Sequence, residues 1–139
     1  SAASFNPLGS GAEHPEALAN LSDGNPSTTW ATQTYSTPTF GGLKSGDGVY
    51  ATLGVVRALQ QLTVFSPSRG WTFSVYTASL PVPTTLAGWG KPVGGPVTVQ
   101  SDVTPVALGG VKAQAVLVWI TQLPANPPYR VSIGELAVR

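Results

Sequence analysis

The chain has no cysteine, which removes disulfide bridges, thiolate nucleophiles and thiolate metal sites together. Charge is scarce too: Asp, Glu, Lys and Arg make up 9% of the 139 residues, against about 25% in an average soluble domain. Ser, Thr, Asn, Gln, Gly and Pro must therefore cover the surface. The formal net charge of +1 offers no overall basic field for nucleic acid or anionic lipid. No stretch of eighteen apolar residues is present, so no transmembrane helix is expected. The opening Ser1-Ala2-Ala3-Ser4 has neither a basic n-region nor an apolar h-region. The chain reads as a piece of a larger protein, with any signal or anchor outside it.

What is present points to strands. At this length one domain is expected, large enough to bury a core without staples. Trp71, Phe73 and Val75 alternate with Thr72, Ser74 and Tyr76, the period of a half-buried strand. Residues 49–53, 59–65 and 129–138 are further strand segments. Ala115 to Ile120 is an unbroken apolar run, as in a central strand covered on both faces. One short helix is expected over His14 to Asn20, with Pro15 at its first position. Two long irregular segments, 31–48 and 78–95, complete the pattern; loops of that length are usually functional or disordered. The fold class is an all-β, antiparallel β-sandwich over residues 1–139.

The most informative segment is Asp23-Gly24-Asn25-Pro26-Ser27-Thr28-Thr29-Trp30. Asp, Asn, Gly and Pro each favour turns for separate backbone reasons. The oxygens grouped around Asp23 either satisfy backbone amides in an Asx-type turn or cradle a hard cation such as Ca²⁺. Trp89, flanked by Gly88 and Gly90, either plugs the end of a core or stacks on a ligand. Trp30, Trp71 and Trp119 lie on or beside strands and read as core.

The order of a short helix, the Asp23–Trp30 turn, successive strands and a final Ile133-x-Glu135-Leu136-x-Val138 resembles the galactose-binding-like jelly roll. That superfamily includes discoidin (coagulation factor type C) domains and many carbohydrate-binding modules. Further residues carry a narrower resemblance: Phe5-Asn6-Pro7-Leu8-Gly9, Glu13-His14-Pro15, Tyr35, Phe40-Gly41-Gly42-Leu43-Lys44 and Val118-Trp119-Ile120-Thr121. Their order is similar to the extracellular C-terminal domain of actinobacterial MviN/MurJ-type flippases for peptidoglycan precursors. The superfamily resemblance implies one Ca²⁺ held by Asp23 and Glu135, with Asn25, the Thr28 hydroxyl and backbone carbonyls near Ala19, Asn25 and Thr28. Its alternative is a clasp that keeps the geometry without an ion.

The residues proposed to touch a ligand are Tyr35, Lys44, Arg69, Trp89 and Tyr129, although Phe40 reads as packing and Lys44 as a surface residue. Catalysis has little support. His14 is the only histidine, Glu13 and Glu16 are the only carboxylates close in sequence, and no phosphate loop, serine elbow or zinc spacing is present. The function implied is a non-catalytic extracellular module for cell-wall glycan or a lipid-linked precursor, on the outer face of a plasma membrane and without direct membrane insertion. The alternative is a protein-interaction or structural ectodomain on the same scaffold.

Overall fold

The computed structural model describes residues 1–139. The strands are β1 (Ala2–Phe5), β2 (Trp30–Ala31), β3 (Asp47–Phe65), β4 (Thr72–Ala78), β5 (Val97–Thr98), β6 (Val103–Gln122), β7 (Ser132–Ile133) and β8 (Glu135–Val138). Every pairing is antiparallel. The main sheet runs β1-β3-β6-β4-β5, with β8 also on β3, and β2 pairs β7 apart from it.

The long strands β3 and β6 organise the rest. Between Thr52↔Ala115 and Arg57↔Ala113, four residues of β3 stand opposite Gln114 alone. Between Leu59↔Val111 and Gln61↔Ala107, Leu108, Gly109 and Gly110 of β6 stand opposite Gln60. Gly109 and Gly110 have φ of 66° and 79°, a region glycine adopts without strain. Bulges of this kind bend a strand, so each long strand contributes to both layers. Val49, Ala51, Val116 and Val118 from one half meet Leu59, Leu62, Val64 and Leu108 from the other, around Trp30, Trp71 and Phe73. This is the antiparallel β-sandwich that the strand pattern implied.

The apolar run in β6 is covered on both faces, as expected. Val116, Val118 and Ile120 enter the main core, while Ala115, Leu117 and Trp119 enter a second cluster with Phe5 and Trp89. The cover for that second face comes from the connection between β4 and β5. Its 3-10 turn Ala87–Trp89 seats the Trp89 ring 5.7 Å from Phe5 and 5.8 Å from Tyr50, centroid to centroid. Trp89 is 4% exposed. It is a core residue, and its assignment as a ligand-stacking ring is corrected: the back of β6 is apolar and needs a lid. Trp30, Trp71 and Trp119 are buried, as expected.

Other differences follow from local signals. The segments 49–53 and 59–65 belong to one strand, because Gly54 opens a bulge rather than ending the pairing. The N-terminal half of β6, which carries Pro105, Gly109 and Gly110, was not among the expected strands. The expected helix is a 3-10 helix over Pro15–Ser22. His14 precedes it with φ of 44° and places Nδ1 2.7 Å from the Ala31 carbonyl.

Candidate ligand-binding surface

The Asp23–Trp30 turn is closed by its own side chains. Asp23 Oδ1 accepts from the Asn25 amide at 2.9 Å, Oδ2 accepts from the Thr28 hydroxyl, and Asn25 Oδ1 accepts from the Ser27 amide at 3.0 Å. Glu135 reaches it from β8: its Oε1 accepts from the Gly24 amide at 3.1 Å, which brings its carboxyl near enough for the Asp23 charge to act on it. The hydrogen bond from Thr28, then that from Asn25, lowers the Asp23 pKa; burial, then the Asp23 charge, raises that of Glu135. Gly134 makes the close approach possible. A Cβ there would lie 2.1 Å from the Pro26 carbonyl oxygen. The four residues named for an ion, Asp23, Asn25, Thr28 and Glu135, are thus brought together. Their donors are all oxygen and include two adjacent carboxylates, which fits a hard dication in chemistry.

Tyr35 and Lys44 also meet, but inside the protein. The turn Phe40–Gly42 sends the Lys44 stem past the Tyr35 and Phe40 rings, with Nζ 5.3 and 5.8 Å from their centroids. Nζ lies 2.8 Å from Glu13 Oε2, 3.0 Å from Asn6 Oδ1 and 4.0 Å from Asp47 Oδ1. Glu13 Oε1 accepts from the Gln33 amide at 2.6 Å and the Tyr35 hydroxyl at 2.8 Å. The side chains of Lys44, Glu13 and Asp47 are only 4%, 5% and 1% exposed.

The three charged groups resolve into one ion pair and one neutral acid. Burial, reinforced by the Glu13 carboxylate, pushes Asp47 up to about 9. Burial acts on Glu13 in the same direction, but hydrogen bonds from Asp47, Lys44, Gln33 and Tyr35 outweigh it and hold Glu13 at about 2. Burial and then Glu13 also raise the Tyr35 phenol. Asp47 Oδ1 accepts from the Gly48 amide at 2.9 Å, and Oδ2 has no donor. A buried carboxyl oxygen without a donor is the environment in which burial holds a proton on Asp47.

A cleft of about 470 Å³ opens above this cluster between Asn6, Gly9–Gly11, Gln33 and Leu43. The charged atoms at its floor are engaged inward. The reading of Lys44 as a surface residue is corrected: it is the counter-ion of Glu13, 31 positions away, and nothing local in the sequence signals that pairing. The half-buried Tyr35 likewise spends its hydroxyl on Glu13.

Arg69 and Tyr129 lie at another part of the sandwich end. The turn after β3 is tied to β7: the Ser66 hydroxyl donates to the Ser132 carbonyl, and the Ser132 amide donates to Ser68 Oγ at 3.0 Å. Arg69, on that turn, is half exposed and pairs with Asp102. The Tyr129 carbonyl accepts from the Tyr35 amide at 3.0 Å, and its ring packs on the core edge. Between the turn and the 124–130 loop lies a recess of about 210 Å³, walled by Ser68, Arg69, Asn126, Arg130 and Ser132 with two prolines. Tyr129 stands beside it rather than in it. Sequence reading missed Asn126 and Arg130. Their signal was weak, two isolated polar side chains in a proline-rich loop.

No protein-family model and no curated protein matches the chain. Solved structures do. CpGH89CBM32-6, produced by Clostridium perfringens, superposes with a TM-score of 0.69 at 15% identity, over 100% of this chain and 91% of that one. The CBM32 of AlyQ in complex with 4,5-unsaturated mannuronic acid gives 0.67 at 21% identity, over 100% and 93%. Chitosan-binding module 1 from the chitosanase/glucanase of Paenibacillus sp. IK-5 gives 0.67 at 18%, again over 100% and 93%. The fold is the galactose-binding-like jelly roll of these modules. At such identities the jelly roll is shared, and the ligand must be argued from this chain's own residues.

Proposed function

We propose that the chain is a non-catalytic carbohydrate-binding module. It recognises cell-wall glycan or a lipid-linked peptidoglycan precursor at the outer face of a plasma membrane, as the ectodomain of a MurJ-type membrane protein. The observation that carries the binding role is the recess between Arg69 and Arg130. Hydroxyl, amide and guanidinium groups converge there from two loops, the Asn126 amide is unused by the protein, and Arg130 has no carboxylate partner. Such groups suit the hydroxyls and ring substituents of a sugar. The jelly roll supports the same reading, because structural neighbours are modules that bind a mannuronic acid derivative and chitosan. The parent protein rests on the Phe5–Gly9 and Phe40–Lys44 resemblance.

Titration with chitooligosaccharides and soluble peptidoglycan fragments, followed by amide chemical shifts, tests the role. Shifts should centre on residues 66–70 and 124–132, and Arg130→Ala should weaken binding about tenfold, the worth of one charge-assisted hydrogen bond. Saturating fragments that move none of these amides would refute it.

The second reading is a protein-interaction or structural ectodomain. Its support is the inward packing of Tyr35, Lys44 and Trp89, which removes three of the five side chains first assigned to a ligand. A glycan-silent recess with an intact fold would favour it.

We also propose that the Asp23–Glu135 clasp takes one structural Ca²⁺. The ion would supply positive charge between two carboxylates that otherwise repel, and Glu135 would carry that tie from the turn to β8. Saturating Ca²⁺ should stabilise the fold by mass action, by about 2.7 kcal/mol at a hundredfold excess over the dissociation constant. EDTA and Glu135→Gln should each abolish the gain. A melting temperature indifferent to both would remove the ion.

A further inference from the structure

The cleft above the Glu13–Lys44 pair takes no part in the Arg69–Arg130 recess, and the two share no wall residue. Its walls come from separate segments, and the buried ion pair holds both. On one side the Asn6 side chain donates to the Gly11 carbonyl at 2.7 Å and accepts from Lys44 Nζ at 3.0 Å. The Gly9 amide closes that loop on the Asn6 carbonyl at 3.3 Å. On the other side Glu13 Oε1 accepts from the Gln33 amide and the Tyr35 hydroxyl, and Leu43 directly precedes Lys44. The cleft is therefore formed before any ligand arrives, which lowers the ordering cost of binding.

Each wall carries one apolar tip and one free polar side chain. Leu8 and Ser10 stand on the first wall, Leu43 and Gln33 on the second. Leu8 and Leu43 are 52% and 78% exposed, apolar surface that the fold leaves uncovered. The Ser10 hydroxyl and the Gln33 carboxamide make no hydrogen bond within the protein, although Gln33 is fixed at its backbone. Glu13, Lys44 and the Tyr35 phenol are the only ionisable groups at the cleft, and they are engaged with one another. The occupant that fits is neutral, polar at two opposite edges and apolar between.

A trans secondary amide has that form. It is planar, and its N–H and C=O point to opposite edges, so one carboxamide cannot satisfy both. Gln33 and Ser10, on opposite walls, can take one edge each. We propose that this cleft is a second glycan site, which takes the acetamido group of an N-acetylated amino sugar. The acetyl methyl lies between Leu8 and Leu43, and the sugar ring lies against the half-buried Tyr35. A peptide fits less well, because every residue brings a further backbone amide and the cleft has one pair of free polar groups. The volume of about 470 Å³ falls within the roughly 300–1,000 Å³ of small-ligand pockets. The assignment does not depend on a ligand in the recess.

Amide chemical shifts during titration with N-acetylglucosamine test the proposal. Glucosamine and glucose serve as sugars without the acetyl group, and alanyl-alanine as an amide without a sugar. N-acetylglucosamine should shift residues 8–11, 33–35 and 43–44, and the two unacetylated sugars should not. Gln33→Ala should weaken this binding roughly fivefold, the worth of one hydrogen bond. Leu43→Ser should weaken it by roughly as much through lost apolar contact. Both side chains are exposed, so melting curves of the variants should overlay that of the natural chain. Arg130→Ala, in the recess, should leave these shifts unchanged.

Silence at the cleft residues up to high millimolar N-acetylglucosamine would overturn the proposal, whether or not the recess responds. So would equal shifts from glucosamine or glucose, or binding that Gln33→Ala leaves intact, since the acetamido group would then play no part. A response to alanyl-alanine alone would also overturn it and give the cleft to peptides. Shifts at the cleft with a silent recess would uphold this site while refuting the recess, so the two assignments fail separately.

Discussion

Replacing Asp47 by asparagine should change how stability depends on pH, and the buried cluster sets both the sign and the size. Asp47 is fully buried, and its pKa rises from 3.8 to about 9 on folding. Between those values the unfolded chain has released the proton while the folded chain retains it. The folded state therefore loses stability as pH rises, by about 1.4 kcal/mol per pH unit. From pH 5 to pH 8 the cumulative loss is on the order of 4 kcal/mol, a large part of a typical domain's margin. Glu13 acts in the opposite sense. Its folded pKa of about 2 lies below the ordinary 4.5, so its contribution is present above 4.5 and lost as pH falls through 2. The cluster thus favours mildly acidic conditions, between the two unfolded-state values.

The asparagine side chain keeps the shape, can donate from its amide to Glu13 and can accept from the Gly48 amide, yet cannot ionise. Urea midpoints at unit pH steps from about 5 to 9 should fall for the natural chain and stay nearly level for Asp47→Asn, with the curves diverging toward alkaline pH. Glu13→Gln is the complement: it leaves Lys44 without its close counter-ion and should cost about 3–5 kcal/mol near neutrality. Parallel pH profiles for the natural chain and Asp47→Asn would refute the proton retained on Asp47, and with it the explanation of the Asp47 oxygen that has no donor.

Trp89→Ala should cost about 3–5 kcal/mol by emptying the lid over β6, while Trp89→Phe should cost far less, because the indole N–H already lacks an acceptor. Equal losses for the two, read from urea midpoints, would contradict the packing role. Gly134→Ala should destabilise by about 1–3 kcal/mol, since the new methyl must displace the Pro26 carbonyl, and should blunt any response to Ca²⁺ in a melting assay.

Much of the fold was legible because its signals are local. The alternation of Trp71–Val75 and the apolar run Ala115–Ile120 each require only a window of a few residues, and both landed on strands with the expected faces covered. The two-residue strands β2 and β5 were not legible in the same way, since a pair of bridging residues carries no period, and the strand read over 129–138 is divided at Gly134 into β7 and β8. Gly54 shows why punctuation misleads. In an isolated segment a glycine ends a strand, but here β6 continues to pair on both sides of it, so tertiary pairing overrides the local stop.

The site residues divide along the same line. The clasp was legible because Asp23, Asn25 and Thr28 form one compact turn, and only Glu135 had to be brought from afar. The cluster of Glu13, Lys44 and Asp47 was not. Each residue alone reads as a solvated charge, and in a chain that is 9% charged the expectation of exposure is strong. Their burial follows from geometry that sequence windows do not contain: the 3-10 helix and the Phe40–Gly42 turn fold onto the same end of the sheet. Once one carboxylate is enclosed there, an ammonium must accompany it, and a second acid can stay only by keeping its proton. The cluster therefore welds the first loop to the start of β3, and Tyr35, through Glu13 and through its backbone bond to Tyr129, links that weld to the loop carrying Arg130. Loss of the Asp47 proton would put a second negative charge beside Glu13 with Lys44 alone to balance both, which is why the strain of alkaline pH falls on this weld.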